Sequence, residues 1–74
     1  MAINWEKTDN CVHLVRYDLF TAEHNGKTLV IFENLNQDAI YGEVDGVLVD
    51  KVEFDFNRTK HINQMKKKLG DFVA

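Results

Sequence analysis

The amino-acid sequence predicts an α+β fold: an antiparallel β-meander of three to four strands with one C-terminal α-helix packed on one face. Three observations carry this expectation. From Lys51 onward apolar and polar residues alternate strictly, Val52, Phe54 and Phe56 against Lys51, Glu53 and Asp55, which is the period of a strand with one wet face. Asp45-Gly46, flanked by Val44 and Val47, supplies the positive φ angles of a tight hairpin turn, so residues 39–44 are the antiparallel partner of that strand. Ile62, Met65, Leu69 and Phe72 recur at helical intervals and form one stripe of an amphipathic helix over residues 59–72.

A chain of 74 residues is a single small domain, residues 1–74. At this length about 60% of the unfolded surface is buried on folding. A hydrophobic share of 45% is nevertheless too high for a disordered chain, so a genuine core is expected. Cys11 is the only cysteine, which excludes an intrachain disulfide. The first ten residues lack the basic start and apolar run of a signal peptide, and the longest aliphatic or aromatic run is residues 29–32. A cytoplasmic protein with no membrane association is the expectation.

Along the chain, Ile3 and Trp5 stand at strand spacing ahead of a polar run, and Trp5 is expected to dock on the body as a lid on the core. Residues 11–23, CVHLVRYDLFTAE, fit two elements. As a helix, Thr8 or Asp9 would cap them, Val12, Val15, Leu19 and Ala22 would form the stripe, and Gly26 would end it. As a strand they would turn at Asn25-Gly26, and the valine, tyrosine, phenylalanine and threonine content favours this reading. The strand reading sets Leu19 against Phe32 and Phe20 against Ile31. It also sets Asp18 against Glu33, a like-charge conflict unless Arg16 reaches across.

Residues 27–35, KTLVIFENL, form a near-continuous apolar run that suits a central strand covered on both faces, and residues 34–38 are a loop of turn formers. A two-residue turn at Asp45-Gly46 pairs Val44 with Val47 but Ile40 with Lys51, so the apolar face changes sides between Val49 and Val52. A β-bulge near Asp50, or a longer turn using Gly46 as its bulge residue, would resolve this. In the helix, Asn57 or Thr59 caps the start, Lys66, Lys67 and Lys68 complement the macrodipole and Gly70 is placed to stop it. Its expected partner is the side of the last strand carrying Val52, Phe54 and Phe56.

The formal charge of −3 hides an asymmetry: residues 58–74 carry Arg58, Lys60, Lys66, Lys67 and Lys68 against Asp71, whereas the preceding chain is strongly acidic. Cys11 and His13, with His24 or His61, are the only candidates for a metal site or an activated thiol. They have no zinc-ligand spacing and no surrounding nucleophile motif. No cofactor is implied, since phosphate-binding glycine loops, HExxH pairs and EF-hand loops are all missing from the sequence. The expected function is therefore non-enzymatic: binding of another protein, as an inhibitor or accessory factor, through an acidic hairpin face of Glu43, Asp45, Asp50, Glu53 and Asp55 that docks a basic surface. The alternative is nucleic-acid binding through Lys60, Lys66, Lys67 and Lys68, although these lysines spread around the helix and the acidic remainder repels phosphate. Self-association is a further expectation, because one helix covers only one side of a sheet and residues 29–32 are apolar on both.

Overall fold

Two Asx-Gly dipeptides set the topology. Asn25 (φ 54°) with Gly26 (76°), and Asp45 (52°) with Gly46 (81°), place both central turn residues at positive φ, the type I′ geometry that matches strand twist. In the computed structural model, which describes residues 3–11, 15–34, 36–37, 39–53 and 58–74, these turns join β2 (Arg16–His24) to β3 (Lys27–Asn34) and β4 (Ala39–Val44) to β5 (Val47–Glu53). With β1 (Glu6–Cys11) these strands form one antiparallel sheet in the order β1-β2-β3-β4-β5, followed by α1 (Arg58–Val73). The α+β class, the meander and the C-terminal helix agree with the sequence expectation. No helix among the described residues is long and apolar enough to cross a membrane.

The strand count differs: there are five rather than three to four. The additional strand is β1, EKTDNC, whose polar composition has no period to read. As an edge strand it is held by its ladder to β2, with Glu6 opposite Thr21 and Lys7 opposite Phe20, and needs no apolar face of its own. Residues 16–24 are strand, not helix.

Two bulges resolve the register conflicts. In the β2–β3 pair Phe20 lies opposite Ile31 as expected, but a shift between Asp18 and Phe20 moves Asp18 opposite Phe32 and Glu33 opposite Tyr17. Leu19 therefore does not face Phe32, and the two carboxylates no longer oppose each other. Glu33 is instead buried at 8% exposure, its Oε1 at ion-pair distance from Arg58 Nη2 without hydrogen-bond alignment. In the β4–β5 pair Val44 meets Val47, and a shift between Gly42 and Glu43 leaves Val49 as the extra residue and brings Ile40 opposite Val52. This is the irregularity that the sequence places near Asp50.

The helix lies over the middle of the sheet rather than over the last hairpin alone. Leu29, Ile31, Ile40, Met65 and Leu69 are fully buried, with Leu19, Ala22, Val44 and Val73 completing the core and Trp5 and Ile3 packed against it. Gly42 makes this approach feasible, since a Cβ there would fall 2.6 Å from Met65 Sδ and 3.0 Å from Leu69 Cδ2. Val52 joins the core margin, while Phe54 and Phe56 lie outside the described residues. Gly70 does not stop α1, which continues to Val73. Val73, one turn beyond Leu69, takes the buried position expected of Phe72, whose exposure is 57%. Residues 27–34 are covered on one face only: Leu29 and Ile31 are buried, and Val30 and Phe32 are half-buried on the other side.

Candidate functional site: the uncovered face of the sheet

Strand alternation and the two bulges place Arg16 and Asp18 of β2, Val30 and Phe32 of β3, Tyr41 and Glu43 of β4, and Leu48, Lys51 and Glu53 of β5 on the side away from α1. Four of these build a stack that crosses four strands. Phe32 and Tyr41 are cross-strand partners with ring centroids 5.1 Å apart and planes inclined by 8°. The Arg16 guanidinium lies 3.9 Å above the Phe32 ring, and from the β5 side Lys51 Nζ approaches the Tyr41 ring at 5.8 Å. Each outer ring face already has a cation over it, so the surface offers ring edges and not an open platform for stacking.

Arg16 also gathers the carboxylates. Its Nε donates to Asp18 Oδ1 at 2.8 Å and its Nη2 to Glu43 Oε1 at 2.7 Å. Burial works against the guanidinium charge, yet the bonds to Glu43 and Asp18 outweigh it and hold the Arg16 pKa above its ordinary value. Tyr41 donates its hydroxyl to Gln37 Oε1, which restrains the ring.

The five carboxylates singled out in the sequence do not share one surface. Glu43 and Glu53 lie on the uncovered face, the first clamped by Arg16 and the second exposed. Asp45 sits in the turn, where its Oδ1 accepts the Thr28 N–H and its own N–H donates to the Thr28 carbonyl, both at 2.8 Å. Asp50 points to the helix side because it is an odd number of residues from Glu53. Its Oδ2 pairs with Lys68 Nζ at 2.8 Å and its Oδ1 accepts the Lys51 N–H. The Lys68 hydrogen bond, opposed by burial and aided by the Lys51 amide, lowers the Asp50 pKa below the ordinary 3.8. Asp55 lies outside the described residues.

What sequence reasoning missed is the rest of this face. Glu6 and Glu23 share it by register with Thr21 and Thr28, and so does the half-exposed Leu48. The signal that would have found the Phe32–Tyr41 pair is the register of the β3–β4 hairpin, which no local turn motif in the sequence fixes. The basic helix residues are dispersed: Lys68 is paired with Asp50, Lys66 Nζ lies 3.8 Å over the Phe20 ring, and Lys60 and Lys67 are exposed elsewhere on α1.

Among the described residues no group of three or more His, Cys, Asp or Glu is placed to hold a metal ion. His61 Nδ1 lies 3.2 Å from Gln64 Oε1 one turn along the helix, and His24 is half-buried beside the helix end. His13 and the Cys11 side chain lie outside what the structure describes. No protein-family model, curated protein or solved structure matches this chain, so its function is argued from the geometry alone.

Proposed function

We propose that the protein is a non-enzymatic binding module, an inhibitor or accessory factor, that docks a basic surface of another protein on the uncovered face of its sheet. One observation supports this reading above the others: the helix covers one face, and the opposite face carries Glu6, Asp18, Glu23, Glu43 and Glu53 against Arg16 and Lys51. Arg16 is consumed by Asp18 and Glu43, so Glu6, Glu23 and Glu53 leave the field negative around a rigid aromatic centre, with Leu48 as an exposed apolar anchor. A basic protein surface is complementary to that field, whereas the phosphates of nucleic acid are not. The carboxylates that carry the reading are thus Glu43 and Glu53 together with Glu6 and Glu23. Asp45 and Asp50 serve the turn and the helix contact.

The test is the paired variant Glu23→Lys with Glu53→Lys, both exposed strand positions, used alongside the wild type in capture from native cells followed by titration of the purified partner. Charge reversal is expected to weaken binding by about tenfold or more, since steering and rim contacts of this kind act through the summed field. Retention of the partner at full affinity would defeat the assignment of the face. Sedimentation provides the other check: a dimer that buries Phe32 and Tyr41 would show the face to be occupied by a second copy.

A further inference from the structure

The two edges of the sheet differ in kind. β1 is polar along its length, and its ladder to β2 is bulged between Lys7 and Asn10. β5 opens instead with Val47, Leu48 and Val49. Among the described residues the exposed large apolar side chains are Val47 at 67%, Leu48 at 53% and Phe72, and all of them gather at this edge. We propose that the start of β5 pairs antiparallel with β5 of a second copy of this chain, about a twofold axis through Leu48.

The fold brings the apolar residues together. Val47 lies opposite the core residue Val44 and so faces the helix side, while Leu48, next along, faces away from it. α1 runs antiparallel to β5, from the Arg58–Glu33 contact at one end of the sheet to the Asn25–Val73 bond at the other. The Lys68–Asp50 pair sets one side of α1 above β5, and Phe72 follows one turn later on that side, toward the end where Val47 stands. The edge therefore carries apolar side chains on both faces.

Which part of the edge is open is also fixed. Val44 and Val47 flank the two-residue turn as a hydrogen-bonded pair, so the N–H and C=O of Leu48 point away from β4. Beyond Leu48 the bulge interrupts the strand and Asp50 Oδ1 accepts the Lys51 N–H, which closes the edge there. A twofold axis at Leu48 matches these limits. It pairs Leu48 with its own copy, sets Val47 against Val49, and brings Lys51 beside the turn residue Asp45, so that opposite charges flank an apolar centre. Because α1 packs over Gly42 of β4, the two helices stand three strand spacings apart, about 14 Å. Helices in direct contact are about 8–10 Å apart, so the two Phe72 side chains have room between them. The patch is small beside a standard interface of about 20–30 residues a side, so the pairing is a concentration-dependent one. Phe32 and Tyr41 stay uncovered, and the two open faces join into one with the Leu48 pair at its centre.

Sedimentation of the wild-type chain is expected to show a monomer–dimer equilibrium with a Kd on the order of 10–100 µM. Val47→Lys and Phe72→Ser, both at exposed helix-side positions, should each weaken it at least about tenfold with an unchanged far-UV spectrum. The Glu23→Lys, Glu53→Lys variant should still dimerise, which separates this edge from the protein-binding face. In a Cys11→Ser background, diamide should join Leu48→Cys chains into a disulfide dimer, because paired Cα atoms lie about 5.5 Å apart, within disulfide reach. Val52→Cys chains, out of register, should stay monomeric. The inference is overturned by a wild-type chain that remains monomeric at about 500 µM, well above that Kd range. Dimerisation at full strength in the folded Val47→Lys variant overturns it as well, as does cross-linking of Leu48→Cys no faster than that of Val52→Cys. The first measurement requires no variant to fold.

Discussion

The two faces of the sheet are stabilised by different physics. Under the helix, Leu29, Ile31, Ile40, Met65 and Leu69 are removed entirely from water, each such side chain contributing about 1.5–3 kcal/mol. On the open face the cohesion comes from the Arg16 ion pairs and the cation-ring-ring-cation stack, contacts of about 0.5–1 kcal/mol each. The lesson is one of separability. Folding energy is concentrated on one side, so the other can be altered for recognition at little risk to the structure.

The sharpest way to break this contrast is at Gly42. Alanine there should destabilise the protein by about 1–3 kcal/mol, because Met65 and Leu69 are closely packed and must move together. Urea unfolding monitored at Trp5 measures it, and a loss below about 0.5 kcal/mol would mean that the helix contact is looser than the buried surfaces imply. Arg16→Ala should cost less, about 1 kcal/mol, since the carboxylates it releases remain partly hydrated. The same variant should strengthen attraction for a basic partner by unmasking Asp18 and Glu43; weaker partner binding would show that Arg16 itself makes a contact.

The smallest effect is expected at Asp50→Asn, about 0.2–1 kcal/mol for an exposed pair with Lys68. Its sign with pH is definite. The Asp50 pKa is lowered on folding, so its contribution is complete above the ordinary value of 3.8 and is lost as pH falls through the lower folded value. Wild type and variant should converge in acid denaturation series below that window. A gap that widened toward low pH would contradict the pairing.

Much of the covered face was legible because periodicity reports burial. The last strand is read from its turn and from the alternation that begins at Lys51, the stripe through Met65 and Leu69 from helical spacing, and both Asx-Gly turns announce their geometry. The Asp18–Glu33 and Ile40–Lys51 conflicts even marked where the two bulges fall. β1 was illegible because an edge strand held by its backbone needs no apolar pattern, and Phe72 was misplaced because two neighbouring residues, Phe72 and Val73, competed for one buried position. The open face was read least well. Its acidic character was visible, but which carboxylates share a side depends on bulge positions, and the Phe32–Tyr41 stack depends on a hairpin register that no local motif encodes.

The meander order has a kinetic consequence. Each strand pairs only with its neighbours along the chain, so sheet assembly requires a series of small loop closures, each with a modest entropic barrier. The Asn25–Val73 clasp spans 48 residues, far more than any hairpin closure in the sheet. Refolding should therefore proceed as a rapid zipper of hairpins, with arrival of the helix as the slow and final step.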